Sequence, residues 1–284
     1  MISLDFMRYL REWIGNRGRL SGSALRLHSP LKPAPMGRVD LVGAGPGDPE
    51  LLTLKAWRLI NEADVIVYDA LVSQELLAGI TGHPELIYVG KRMGNHSASQ
   101  AEICSILVRQ AIKGKHVVRL KGGDPLVFGR LGEELDALRC ENIPYSIVPG
   151  ITAASGCAAS LGFPLTERGL STRLRLITAQ FSQHHEIDWS HLARTDETLV
   201  FYMGVSKAAM ISSELIKAGL AENYPVLIVE NGTHNEQRAI ETTLKQMASA
   251  ITANQIEAPA LIYVGQVVTR AHRQSQSRVD AMIV

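Results

Sequence analysis

Residues 39–57 read "VDLVGAGPGDPELLTLKAW". Val39–Val42 form a short apolar run of strand type, glycines follow at 43 and 45, and Leu51, Leu54, Trp57 and Ile60 recur at helical spacing. Strand, tight turn and helix in that order are the opening unit of an α/β fold. The turn also raises a functional question. Gly43 and Gly45 match the start of the dinucleotide signature G-x-G-x-x-G, and Asp69 ends the next apolar run, about where a ribose-binding acid would stand. That pattern supports a nicotinamide or flavin oxidoreductase. Two residues oppose it. Pro46 removes an amide donor from the loop, and Asp48 places negative charge where a pyrophosphate would need to sit. Asp48 followed by Pro49 is instead a sound helix opening, an N-cap carboxylate and then proline at the first helical position. The turn therefore has either a purely structural task or a ligand without phosphate.

The same alternation continues along the chain. Strand-like runs begin at 65 ("VIVY"), 86 ("LIYV"), 117 ("VVRL") and 145 ("YSIV"), with helical patterns between most of them. "SQAEICSILVRQAIKG" carries Ile103, Leu107, Gln110 and Ala111 on neighbouring positions, with Ser99 as N-cap and Gly114 as stop, and "GEELDALRCENI" is a further helix. In the second half, strands are predicted at "LRLIT" (174), "TLVFY" (198), "VLIV" (226) and "LIYV" (261). "KAAMISSELIKAG" is predicted as a helix ending at Gly219, and "RAIET" as an extended edge segment before the helix "LKQMASAI". Strands alternating with helices predict parallel pairing. The turn-rich passage "GFPLTERG" interrupts the pattern and marks the boundary between two α/β domains, 38–163 and 164–270, with a ligand cleft between them.

Two more strand ends resemble the first in kind. "VVRLKGGDP" runs into Gly122, Gly123, Asp124 and Pro125, and "YSIVPGITAAS" into Pro149, Gly150, Ile151, Thr152 and Ala153. Parallel strands gather such loops on one edge, where α/β proteins bind ligands. Glycines there admit close approach of backbone to a ligand. With little basic charge inside the loops, the expected ligand is a neutral or cationic nucleoside.

Bulk properties narrow the field. With 46% hydrophobic residues in 284, the chain can bury a substantial core, and a net charge of +1 argues against a general nucleic-acid or membrane-surface role. Cys104, Cys140 and Cys157 fit no metal-site spacing and match a reducing cytoplasm. No apolar run reaches the roughly 18 residues of a membrane span. Residues 1–37 are basic, and "FMRYLREWI" has near-helical apolar spacing. This segment reads as an interfacial helix, a targeting presequence or a frayed extension. Residues 271–284 read as a tail.

The ordered set "VGAGPGDPELLTL", "VYDALVS", "YVGKR", "VVRLKGGDPLVFGR", "VPGITAASG", "PLTERG", "FYMG", "ENGT" and "APALIYVGQVV" resembles the tetrapyrrole methylases from about Val39 to Val268. The resemblance implies two α/β domains with S-adenosylmethionine in the cleft, no metal, and a homodimer in the cytoplasm. It implies C-methylation of uroporphyrinogen III at two pyrrole carbons, giving precorrin-2 by way of precorrin-1. It places the cofactor against Pro46, Gly122, Gly123, Asp124, Val127, Thr152, Ala153, Met203, Gly232 and Ala260. Asp69 and Lys91 fall at the positions of a proton acceptor and a proton donor. The substrate is a polyanion with an acetate and a propionate on every pyrrole, and guanidinium forks suit carboxylates. Arg130 and Arg168 are the expected substrate residues, with Arg130 also assisting proton removal and Glu133 orienting it. Arg92, Arg119 and Lys121 are secondary cations. Where the family commonly reads "LTHR" this chain has "LTERG", so Glu167 stands beside Arg168 and could pair with it. That departure leaves a later corrinoid methylase and a catalytically lapsed binding subunit as alternatives.

Overall fold

A computed structural model describes residues 36–90, 98–180 and 187–271. Lys91, Arg92, most of the N-terminal extension and nearly all of the tail lie outside the described residues.

The first sheet contains β1 (Arg38–Gly43), β2 (Val65–Tyr68), β3 (Glu85–Tyr88), β4 (His116–Lys121) and β5 (Tyr145–Val148), in the order β3-β2-β4-β1-β5. Every pairing in it is parallel, so all five strand C-termini lie on one edge. Four helices supply crossovers: α1 (Leu54–Glu62), α2 (Gln74–Ala78), α3 (Gln100–Ile112) and α4 (Leu131–Cys140). Alternation along the strands divides the side chains between two faces. Val42, Ile66, Val118, Leu120 and Val148 pack on α1 and α2 through Ala56, Leu59, Ile60 and Leu76. On the other face Val39, Leu41, Val65, Val67 and Val117 meet Ile103, Leu107 and Ala111 of α3 and Leu138 of α4.

Local signals set the helix starts. Ser99 and Glu102 form a reciprocal capping box on α3. The opening helix differs from the sequence reading. Asp48 does accept a hydrogen bond from the Glu50 amide at 2.8 Å, but it caps only a 3-10 turn over Pro49–Leu51. The α-helix proper starts one turn later, where the Thr53 hydroxyl accepts from the Ala56 amide. The break rotates the helix, so its buried face is Ala56, Leu59 and Ile60, while Leu54 is exposed.

The second sheet contains β6 (Arg173–Thr178), β7 (Glu197–Tyr202), β8 (Pro225–Glu230), β9 (Arg238–Thr243) and β10 (Ala260–Val264), in the order β6-β7-β10-β8-β9. Only β6 and β7 pair in parallel; the other three pairings are antiparallel. The parallel pairing expected of the second half is corrected here. β8 returns as β9 after a short connection with no helix, and β10 inserts between β7 and β8 in the opposite sense. "RAIET" is the edge strand β9, as its spacing predicted.

One face of this sheet packs on α6 (Ala208–Lys217) and α7 (Met247–Ala253) through Phe201, Ile211, Leu215 and Met247. Its other face, with Val200, Leu227, Val229, Leu261 and Tyr263, is covered by α5 (Ala153–Ser160) through Ala154, Cys157 and Ala158. That helix follows directly from β5 of the first sheet, so one short element belongs to the packing of the second sheet while beginning at the edge of the first.

The glycines at this edge correct a second expectation. A Cβ at Gly43 would lie 2.6 Å from the Gly150 backbone and 2.7 Å from the Gly123 carbonyl oxygen, and one at Gly150 would strike the same oxygen. These two glycines admit backbone to backbone rather than backbone to ligand. Gly150→Ala is expected to cost about 1–3 kcal/mol through overpacking against atoms that cannot rotate away. A fall in the denaturant midpoint at unchanged slope would show it.

Candidate active site

Three loops meet where the strands of the first sheet end. The loop after β1 and the loop after β4 join through a two-way backbone bridge: the Gly123 amide donates to the Gly45 carbonyl at 2.6 Å, and the Gly45 amide to the Gly123 carbonyl at 3.2 Å. Both residues have left-handed φ, +76° and +68°, which favours glycine. The loop after β5 lies under them, with Thr152 and Ala153 about 4 Å from the Gly123 Cβ position. A Cβ at Gly123 would be in ordinary contact with those two residues, so the glycine there answers to its left-handed φ rather than to crowding. Asp124 folds its own turn, Oδ1 accepting from the Leu126 amide at 2.9 Å.

The second sheet closes onto these loops through few atoms. Tyr202, at the end of β7, shares a 2.6 Å hydrogen bond with Thr152 Oγ1, and its oxygen accepts from the Ala154 amide at 3.1 Å. Its ring packs on Phe128, with centroids 5.0 Å apart. Burial pushes the Tyr202 phenol above its ordinary pKa, with the Thr152 hydrogen bond pulling the other way. The Tyr263 hydroxyl donates to the Ala154 carbonyl at 2.9 Å. On the far side the Asp48 amide donates to Thr233 Oγ1 at 3.1 Å. Gly156 on α5 makes room for Pro46, Gly232 makes room for the Cys157 sulfur, and Gly47 lies flat against the His234 ring. The Cys157 thiol is raised to about 11 by burial, an inert packing group rather than a nucleophile.

These contacts gather most of the residues that the motifs single out. Pro46, Gly122, Gly123, Asp124, Thr152 and Ala153 lie in the three loops or, for Ala153, at the start of the helix that follows. Gly232 reaches them through α5, and Val127 through the turn it closes on Asp124. Met203 follows Tyr202 with φ +55° and is 42% exposed, so it is not a core methionine. Ala260 opens β10 opposite Glu230. Tyr202 was not singled out from the sequence. Its only signal was the polar end of an otherwise apolar strand.

The charged candidates divide into free and committed groups. Arg130 stands at the start of α4 with φ +52°, and Nε and Nη2 each donate to Glu133 at 2.8 Å. Those hydrogen bonds raise its already high pKa and give the orientation the spacing predicted. Arg168 is exposed and makes no hydrogen bond or ion pair among the described residues. Glu167 does not pair with it. Glu167 instead receives a two-pronged contact from Arg270 at 3.0 and 3.2 Å. The secondary cations Arg119 and Lys121 are buried and committed. Both donate to Glu134, and Arg119 also donates to Asp69 at 3.0 Å. Burial and the neighbouring Arg119 push the Lys121 ammonium below its ordinary pKa against the pull of Glu134.

A parallel sheet with glycine loops at its carboxyl edge, packed through α5 against a second, mixed sheet, defines a two-sheet α/β protein of the cleft type. Residues 38–248 match the family described as Tetrapyrrole (Corrin/Porphyrin) Methylases. The chain belongs to that family of methyltransferases. It is 52% identical over 232 residues to a siroheme synthase of Salmonella typhi and 50% identical to one of Enterobacter sp. (strain 638). Each alignment takes in 82% of this chain and 50% of the relative, so the chain spans about half the length of these curated relatives. Among solved structures, a uroporphyrin III C-methyl transferase from Thermus thermophilus is 42% identical, with TM-score 0.70 over 82% of this chain and 100% of its own. The Thermus thermophilus enzyme complexed with S-adenyl homocysteine is 41% identical, with TM-score 0.71 over 84% of this chain and 97% of its own. A cobalt precorrin-4 methyltransferase is 29% identical, with TM-score 0.73 over 84% and 99%.

The Tyr202 seam yields a direct expectation. Tyr202→Phe leaves the Ala154 amide and the Thr152 hydroxyl without their partner, at a cost of about 1–3 kcal/mol. Denaturant unfolding of the variant against the wild type measures it.

Proposed function

We propose that the chain transfers methyl groups from S-adenosylmethionine to two pyrrole carbons of uroporphyrinogen III, giving precorrin-2 through precorrin-1. The observation that carries this reading is the chemistry of the three loops. "GAGPGD", "GGDP" and "PGITA" contain no lysine or arginine and two carboxylates, Asp48 and Asp124, and Gly123 takes a left-handed φ there. Such a cradle is unsuited to a pyrophosphate and suited to a nucleoside that carries positive charge. It also disfavours the oxidoreductase alternative, because Pro46 and Asp48 leave the turn after β1 unsuited to a dinucleotide's pyrophosphate.

In this reading Gly122 and Gly123 offer backbone groups to the cofactor, and Asp124 offers the carboxylate oxygen not used in its turn. Pro46, Val127, Thr152, Ala153, Met203, Gly232 and Ala260 complete the walls. Bound there, S-adenosylmethionine supplies an activated methyl that the electron-rich pyrrole carbon takes, the electron pair of the broken bond remaining on sulfur. The residues must align the macrocycle, exclude water and receive the proton it loses. Asp69, a quarter exposed at the end of β2, is the proton acceptor in this assignment, with Lys91 as donor. Arg130 and Arg168 hold substrate carboxylates. Arg130 reaches them by exchanging Glu133, a neighbour of similar exposure, for a substrate acid. The reading carries with it a homodimer in the cytoplasm. Among the described residues no helix is long and apolar enough to cross a membrane.

One experiment tests enzyme and arginine together. Calorimetry with S-adenosylhomocysteine and with NADH is expected to show micromolar binding of the first alone. Anaerobic incubation with uroporphyrinogen III and labelled methyl donor is expected to label the tetrapyrrole. Arg130→Ala is expected to keep cofactor affinity and lose most label transfer. NADH binding without S-adenosylhomocysteine binding would overturn the assignment. Cofactor binding without label transfer would favour a lapsed binding subunit, and unchanged turnover in the variant would remove Arg130.

A further inference from the structure

Beneath Asp69 at the cleft edge lie three charges that the proposed chemistry does not use. Glu134 on α4 has no exposed surface, and Arg119 and Lys121 on β4 are 4% and 5% exposed. Glu134 accepts from Lys121 Nζ with both oxygens, at 2.8 and 2.9 Å, and from Arg119 Nε at 3.1 Å. Gln100 on α3 adds a longer contact at 3.4 Å. Arg119 is held along its side as well. Its Nη1 donates to the carbonyls of Val67 at 3.3 Å and Leu120 at 2.9 Å. A planar guanidinium fixed at Nε and Nη1 has no freedom left, so its Nη2 points at one place. That place is Asp69 Oδ2, 3.0 Å away. Asp69 Oδ1 accepts from the Leu71 amide at 3.2 Å. Of the four charged groups only Asp69 has substantial solvent access, at 26% of its side chain.

Stability alone does not explain this arrangement. Buried ion sets lose so much hydration that well-packed apolar residues of similar volume serve folding as well or better. Two cations and a carboxylate behind one exposed acid make sense if the position of that acid matters. We propose that Glu134 is a positioning residue that fixes the Asp69 carboxylate at the cleft edge by way of Arg119. The proposal rests on the reading of Asp69 as the proton acceptor. Lys121 has the supporting task of keeping Glu134 from turning away from Arg119. β2 and β4 are adjacent with Val67 opposite Arg119, so the fork spans the gap from one strand to the end of its neighbour.

The test compares Glu134→Gln, Asp69→Asn and the double variant. Each is measured for thermal unfolding, S-adenosylhomocysteine affinity, KM for the tetrapyrrole, and kcat. Misplacing a reacting group by about an ångström costs on the order of 100-fold. Glu134→Gln is therefore expected to lower kcat by about 10- to 100-fold while KM and cofactor affinity stay within about twofold. Adding it to Asp69→Asn is expected to lower kcat no further, because groups that act as a unit are not additive. If the single variant does not fold, Glu134→Gln with Lys121→Met removes one charge of each sign and takes its place. A folded variant with wild-type kcat would overturn the proposal while the reading of Asp69 stood. So would a double variant whose loss is the product of the single losses. Wild-type turnover in Asp69→Asn would instead overturn the reading of Asp69, and the proposal with it.

Discussion

The structure depends on how closely three backbones approach one another at the carboxyl edge of the parallel sheet. Gly43, Gly123 and Gly150 meet main chain to main chain, leaving no room for a Cβ at the first or the third. That approach brings the loop after β1 onto the loop after β4 and sets the start of α5. Because α5 also covers one face of the second sheet, the position of one sheet relative to the other follows from the same contact. The cleft is thus a product of backbone packing, and side chains such as Tyr202 and Thr233 finish it.

Electrostatics at the site follow from a division of labour. The turns that would face a nucleoside carry carboxylates, Asp48 and Asp124, and no cation. The strong charges nearest to the loops are turned inward, where Glu134 neutralises Arg119 and Lys121. A cationic ligand therefore meets carboxylate and carbonyl oxygens in the cradle rather than a repelling ammonium. In the proposed reading a polyanionic substrate would meet Arg130, whose partner Glu133 is itself half exposed and displaceable at small cost.

Much of this was legible in the sequence because the controlling signals are local. The runs at Val39, Val65, Val117 and Tyr145 are strands, and Ser99 caps its helix, because apolar alternation and capping chemistry act over a few residues. The mixed sense of the second sheet was hidden because the partner of β10 is decided by pairing between distant segments. The break after Leu51 was hidden because Asp48 and Thr53 are both capping residues, and the sequence does not say that each caps its own element. Site residues came from motifs, which point to positions and say nothing of commitment. Arg119 and Lys121 look like free cations in "VVRLKGG", yet Glu134, thirteen or more residues away and fully buried, binds both of them, and Asp69 holds Arg119 as well. Likewise Glu167 has Arg168 beside it in sequence, yet Arg270 lies across from it in space.

The double allegiance of α5 has a thermodynamic corollary. Its first turn borders the proposed nucleoside cradle, and its body completes the core on the second sheet. A molecule lodged against Thr152 and Ala153 thus contributes its binding free energy to both halves of the polypeptide rather than to the nearer one. Occupancy should draw their melting into a single cooperative event, with slower hydrogen exchange appearing in α7, on the face of the second sheet turned away from α5.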